Sequence, residues 1–145
     1  MIVYAESSAV LAWLFGESDG QAIRDYLAAA QRVFASRLTL AECSRALVRA
    51  VLSGVVREGT AAELRARVAL ASRHWVLSEV SESVLERAGR PFPGEPLRTL
   101  DAIHIATALA VQEAEPGLAL LSLDERVRRA ARELGIHMLP EAPRS

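Results

Sequence analysis

Ile2-Val3-Tyr4-Ala5-Glu6-Ser7-Ser8-Ala9-Val10-Leu11 decides the fold. Its first four residues are β-branched, aromatic or small, and read as a short buried strand. The run from Ser8 to Phe15 reads as a short apolar helix, with Ser7 or Ser8 available as its N-cap. A strand that passes within one or two residues into a helix is the signature of α/β layering. The seam itself carries a carboxylate, Glu6. A charge embedded in apolar sequence is costly to bury unless something positive meets it.

Three more acids sit at comparable seams. Glu42 closes Leu38-Thr39-Leu40-Ala41-Glu42, Asp101 lies in Leu100-Asp101-Ala102-Ile103-His104-Ile105-Ala106, and Asp124 follows Leu120-Leu121-Ser122-Leu123. Outward from the first seam, Val33 to Ala35 reads as a weak strand and Thr39 to Leu52 as a strong helix ended by Ser53-Gly54. Thr60 is the expected cap of a helix reaching Ser72. Trp75 to Leu77 is an expected strand, and Ser81 to Ala88 a short helix. The three prolines and one glycine of Arg90 to Pro96 demand a loop. Leu100 to Val111 is a helix too apolar to expose more than a narrow stripe. Leu118 to Leu121, Asp124 to Leu134 and Ile136 to Leu139 complete the chain as strand, helix and strand. The alternation predicts α/β layering in one domain, residues 1–145, around a central, mostly parallel sheet.

In such a sheet ligands bind beyond the carboxyl ends of the strands. All four acids can therefore meet at one edge although they are spread over the chain. Four hard oxygen donors together suit a divalent cation such as Mg²⁺ or Mn²⁺, and the expected class is a metal-dependent hydrolase. Each acid also has a plain structural reading. Asp124 suits an N-cap, and Asp101 a helix-dipole contact of about 0.3–1 kcal/mol. Glu42 suits an ion pair with Arg45 worth a few tenths of a kcal/mol, and Glu6 a solvated turn. Their combination at four seams favours the functional reading. His104, three residues after Asp101, reads as a hydrogen-bonded structural histidine, with proton relay as the alternative; His74 and His137 read as structural.

Composition sets the outer bounds. The chain has 145 residues, 51% of them hydrophobic, which is too many for a disordered chain. Its net charge of −1 provides no global field for nucleic acid. All basic residues are arginine, and Arg37, Arg45, Arg49, Arg98 and Arg126 lie nearest the acids in sequence. Arg98, three residues before Asp101, is the best single candidate for a phosphate contact. The lone Cys43 forbids an intrachain disulfide and agrees with a cytoplasmic location. No stretch reads as a membrane span or a signal peptide. A nucleophile elbow, a Walker loop and a dinucleotide-binding glycine motif are all missing, which argues against acyl transfer, P-loop nucleotide hydrolysis and dinucleotide redox chemistry.

The ordered set of acids resembles that of the PIN-domain ribonucleases, in particular the VapC-like toxins of toxin–antitoxin pairs, over nearly the whole chain. Tyr4-Ala5-Glu6-Ser7-Ser8-Ala9 is similar to the family's strand-Asp-Thr/Ser-Ser-Ala opening. Leu38 to Glu42 is similar to its Leu-Thr-x-x-Glu helix, Leu100 to Ala108 to its Leu-Asp-Ala-x-His-x-Ala-Thr-Ala segment, and Ser122-Leu123-Asp124 to its Thr/Ser-x-Asp segment. The resemblance implies a three-layer α/β/α fold and an endoribonuclease that cuts RNA with one or two divalent ions. It makes Glu6, Asp101 and Asp124 the expected ligands. For Glu42 the roles of direct ligand, water-mediated ligand and base stay open. Ser7, Ser122 and Arg98 are the expected supporting or substrate residues. It further implies a VapB-like antitoxin docking near Trp13-Leu14-Phe15, and a homodimer. Glu6 departs from the family's usual Asp by one methylene, which bears on a cation as strict in geometry as Mg²⁺. Competing readings are a PIN-like binding or scaffold module without catalysis, and a metal-dependent nuclease or phosphatase with another substrate.

Overall fold

A computed structural model describes residues 1–143; the last two residues of the expected domain lie outside the described residues. The strands are β1 (Ile2–Ala5), β2 (Arg32–Ser36), β3 (Val76–Ser78), β4 (Ala119–Leu121) and β5 (His137–Leu139). The helices are α1 (Ser7–Phe15), α2 (Gly20–Ala29), α3 (Arg37–Leu52), α4 (Glu58–Ser72), α5 (Glu82–Ala88), α6 (Thr99–Ala114) and α7 (Glu125–Glu133). The strands form one sheet in the order β3-β2-β1-β4-β5. All four pairings are parallel, with Val3 opposite Val33 and Tyr4 opposite Leu120.

Period-2 alternation divides the strand residues between two cores. Val3, Ala5, Val33, Ala119, Leu121 and Leu139 face one side, where they meet Val10 and Leu14 of α1, Ile23 of α2, Cys43 of α3 and Val68 of α4. Tyr4, Phe34, Leu120 and Met138 face the other, against Val84 of α5, Ile105 of α6 and Val127 of α7. Both faces of the sheet are thus covered by helices, which gives the expected three layers.

Two expected caps fall elsewhere. Glu6, not Ser7 or Ser8, is the N-cap of α1: its backbone is extended, and its side chain accepts from the Ser8 amide. Helix α4 starts at Glu58 after Arg57, which leaves Thr60 inside the first turn rather than at the cap. The other ends agree to within a few residues. Gly16, in the left-handed region at φ 65°, ends α1 and returns its amide to Ala12 and Trp13.

The strand order positions the site. From β1 the chain winds outward through β2 to β3, then returns to β4 on the other side of β1. The order reverses between β1 and β4, where diverging connections open a crevice at the carboxyl edge. Glu6 leaves β1 and Ser122 leaves β4 at this point, and the Glu6 amide donates to the Leu121 carbonyl at 3.0 Å.

Candidate active site at the carboxyl edge

The four acids lie around this crevice in two clusters of contacts. Glu6 is 5% exposed. Its Oε2 accepts from the Ser8 amide at 3.1 Å, from the Ser122 hydroxyl at 2.8 Å, and from the Ser8 hydroxyl. The Ser8 hydroxyl in turn accepts from the amides of Leu123 and Asp124 at 2.9 and 3.2 Å. The β1–α1 and β4–α7 turns are therefore stitched together by Ser8 and Ser122. Asp124 is the N-cap of α7, and its Oδ1 accepts from the Arg126 and Val127 amides. Its Oδ2 lies 3.7 Å from Nη2 of Arg98, and Nε of the same guanidinium lies 3.5 Å from Oδ2 of Asp101. Asp101, at the third position of α6, also reaches back to accept from the Arg98 amide at 3.2 Å.

One turn along α6, His104 centres the second cluster. It is buried on the same side as Asp101, and its Nε2 lies 2.5 Å from Oε1 of Glu42. Ser7 donates to the same Glu42 oxygen at 2.6 Å and lies 3.0 Å from His104 Nε2. Tyr4 meets the other ring nitrogen, Nδ1, at 2.9 Å. A carboxylate only accepts, so Nε2 carries a proton; in the neutral ring, the Tyr4 hydroxyl donates to Nδ1. Burial, followed by the charge of Glu6, drives the Tyr4 phenol far above its usual range, so it keeps the proton it donates. For Glu42, burial pushes the carboxyl up. Hydrogen bonds from His104 and Ser7, with the electrostatic pull of His104 and Arg49, outweigh it and hold the group below its usual value. Glu42 is thus a carboxylate at neutral pH.

Every acid singled out in the sequence therefore stands in one of two neighbouring clusters: Glu6, Asp101 and Asp124 with Ser8, Ser122 and Arg98, and Glu42 with Ser7 and His104. Among the described residues, however, no three Asp, Glu, His or Cys side chains are drawn close enough to cage a metal ion. The reason is visible in the contacts. Serine hydroxyls and backbone amides hold Glu6, His104 and Ser7 hold Glu42, and one guanidinium lies between Asp101 and Asp124. The donor chemistry fits a hard cation, because all four groups are carboxylates and a positive charge already stands between two of them. They are at present balanced by the protein's own donors.

Three participants were not legible in the sequence as part of the site. Tyr4 reads there only as a strand residue, and the linkage of His104 to Glu42 spans two helices. Arg128 is the third. It is fully buried, and its guanidinium donates to the carbonyls of Ser122 at 2.7 Å and Pro140 at 2.6 Å, with longer bonds to Leu139 and Glu141. It clamps the end of β4 to the segment after β5, and so fixes the loop that carries Ser122. Of the apolar cluster that ends α1, Leu14 is core, whereas Trp13 and Phe15 are half-buried.

The fold has counterparts among known proteins. The PIN domain family profile matches residues 3–133, and the chain belongs to that family. Within it, the chain is 37% identical to ribonuclease VapC46 of Mycobacterium tuberculosis, over 94% of this chain and 95% of that protein. The crystal structure of M. tuberculosis VapC20, described as a sarcin-ricin loop cleaving toxin, matches 87% of this chain and 92% of its own with a TM-score of 0.62 at 18% identity. VapBC2 of Rickettsia felis, solved bound to a DNA fragment from its promoter, contains a chain matching 95% of this one and 97% of its own, with a TM-score of 0.64 at 10% identity. These two structures share the fold.

Proposed function

We propose that this chain is a divalent-metal-dependent endoribonuclease, the toxin of a toxin–antitoxin pair, working as a single domain in the cytoplasm. The observation that carries the reading is the gathering of Glu6, Glu42, Asp101 and Asp124, in two neighbouring clusters, around the switch point between β1 and β4. The names of the VapC relatives support RNA as substrate. Glu6, Asp101 and Asp124 are the residues that would hold Mg²⁺ or Mn²⁺. When bound, such an ion supplies Lewis acidity toward a phosphodiester and a water of lowered pKa.

The chain's own residues do the rest. Ser122 and Ser8 orient Glu6, and Ser7 orients Glu42. His104, held by Tyr4, keeps Glu42 ionised, so Glu42 is available to take a proton from the attacking water. Arg98, partly exposed between Asp101 and Asp124, balances their charge and is free to turn toward a phosphate. A VapB-like partner is proposed to dock an apolar segment by Trp13 and an arginine by the acids. Arg98 shows that a guanidinium can be seated there. We also propose a homodimer, as the family resemblance implies.

The test is cleavage of RNA by the purified chain in Mg²⁺ or Mn²⁺. Asp101→Asn or excess EDTA should abolish it, and equal activity in either would refute metal catalysis. One observation favours a second reading, a PIN module that binds without cutting: among the described residues no three ligands are pre-assembled. Calorimetric titration with Mn²⁺ separates the two, since absence of saturable binding would leave only the second. Co-purification with the product of an adjacent small reading frame tests the partner.

A further inference from the structure

We propose that the groove beside Glu42 is a nucleotide subsite, holding the RNA residue that flanks the bond to be cut. The inference rests on the nuclease reading above. The groove is a cavity of about 320 Å³ between α1, α3 and the start of α6. Leu11, Leu38 and Leu100 supply its apolar surface, and Glu42, Arg45 and Arg49 its charged side. Its volume is at the lower end of small-ligand pockets. That suits one nucleotide and is too small for a helix laid along it.

The charged side is ordered by helix geometry. Glu42, Arg45 and Arg49 stand at i, i+3 and i+7 of α3, and so share a face. With a rise of about 1.5 Å per residue, the two arginines lie roughly 4.5 and 10.5 Å along the axis from Glu42. They form a positive row leading away from the acids. Neither is held in a direct ion pair: Arg32, Arg37, Arg98 and Arg132 each meet an acid, whereas Arg45 and Arg49 join no ion pair among the described residues, and Arg49 acts on Glu42 only through its field. A strand whose cut bond sits at the carboxylates is repelled by them and needs positive partners on the flank. Guanidinium groups are the side chains suited to phosphate oxygens.

The apolar side fits the rest of a nucleotide. Leu100 is 44% exposed although it directly precedes the buried Asp101, and Leu11 and Leu38 are only half-covered. Single-stranded RNA is recognised by splayed bases lying on apolar or guanidinium surfaces. A ligand that is anionic at one end and a flat, weakly polar ring at the other matches both sides of the groove. The larger cavity of about 640 Å³ near Trp13, Arg24 and Arg67 lies toward the Gly16 end of α1, away from Glu6, and no carboxylate of the network borders it.

The test uses the full chain and a fluorescein-labelled single-stranded RNA octamer. Binding is read by anisotropy in EDTA, so that nothing is cut, and cleavage is read separately in Mn²⁺. The double variant Arg45→Gln/Arg49→Gln should weaken binding about tenfold. The slope of log affinity against log salt should fall by about 0.7 per lost phosphate contact, or roughly 1.4 for the pair. In cleavage, the loss should fall in KM more than in kcat. Arg67→Gln, which removes a like charge beside the distant cavity, should bind as the wild type does. Wild-type affinity in the double variant, or equal weakening in Arg67→Gln, would overturn the subsite. So would a double variant that binds RNA normally but loses its antitoxin, which would give the groove to a protein. Arginine-dependent RNA binding in a wild-type chain that never cuts would sink the nuclease reading and leave the subsite standing.

Discussion

Replacing Arg128 by methionine should destabilise the protein by about 3 kcal/mol. The side chain is fully buried, and its Nε finds no partner among the described residues. Two of its bonds are short, 2.7 Å to the Ser122 carbonyl and 2.6 Å to that of Pro140; those to Leu139 and Glu141 are 3.3 and 3.4 Å. Hydrogen bonds from a charged donor contribute about 1.5–3 kcal/mol each, so the two short ones contribute roughly 3–6 kcal/mol. Removing the guanidinium also relieves the desolvation cost of a buried ion, several kcal/mol in proteins generally, which offsets part of that loss. Leu139 keeps a second donor, the Ser122 amide at 3.1 Å, while methionine fills the stem's volume without a donor. For a chain of this length, a loss of 3 kcal/mol lowers Tm by about 10 °C. Thermal unfolding followed by circular dichroism reads this directly, and Arg128→Lys, with one donor head, should fall between the two. A methionine variant that melts within about 2 °C of the wild type, or above it, would mean that relief of desolvation wins and that the carbonyls are satisfied without the clamp.

Glu6→Gln keeps an oxygen for the donors from Ser8 and Ser122, so it should fold normally while weakening Mn²⁺ at least tenfold; Glu6→Asp should stay within a few-fold. Equal Mn²⁺ affinity in the glutamine variant, by calorimetry, would make Glu6 only a cap. Tyr4→Phe removes the hydroxyl 2.9 Å from His104 Nδ1 and should cost about 1–3 kcal/mol, read by urea denaturation. An unchanged midpoint would show that Nδ1 is satisfied otherwise. Burial, with Glu42 and Glu6 adding to it, pushes the Cys43 thiol up to about 12. Iodoacetamide at pH 8 should therefore leave native Cys43 unmodified and alkylate it only in denaturant; rapid labelling of the folded protein would contradict that burial.

The layers were legible because they rest on local pattern. Val3 and Ala5 against Tyr4, or Leu121 against Leu120, alternate with the period of a strand, and each run is followed by a helical stretch. The acids were legible as a set because each interrupts an apolar run. What could not be read depends on distance in sequence or on choice among equals. Tyr4 and His104 are separated by 100 positions, and no local signal joins them. Glu125-Arg126-Val127-Arg128-Arg129 offers three arginines, and nothing local marks Arg128 as the one that turns inward. The cap of α1 was misplaced because serine is the commoner N-cap residue. Glu6 takes the role through its reach: from an extended backbone its carboxylate folds forward onto the Ser8 amide. Arg98 is a related case. Its proximity to Asp101 is plain in the sequence, but its simultaneous approach to Asp124 arises only when α6 and α7 start at the same edge.

The capping and functional readings of these acids are not alternatives. Glu6 caps α1, Asp124 caps α7, and Asp101 bonds back to Arg98, the residue just before α6. Three helix starts therefore aim their amides into one crevice, and each stabilises a nearby carboxylate by about 0.3–1 kcal/mol. Arg98 adds a whole positive charge between two of the acids, and His104 holds the fourth. Such an arrangement offsets the mutual repulsion of several like charges brought near one another. It also explains why, among the described residues, no three ligands are gathered in advance. Carboxylates drawn to metal-ligating distance with nothing between them would repel strongly, so the protein holds them apart on its own donors, at the one edge where a cation could exchange for those donors.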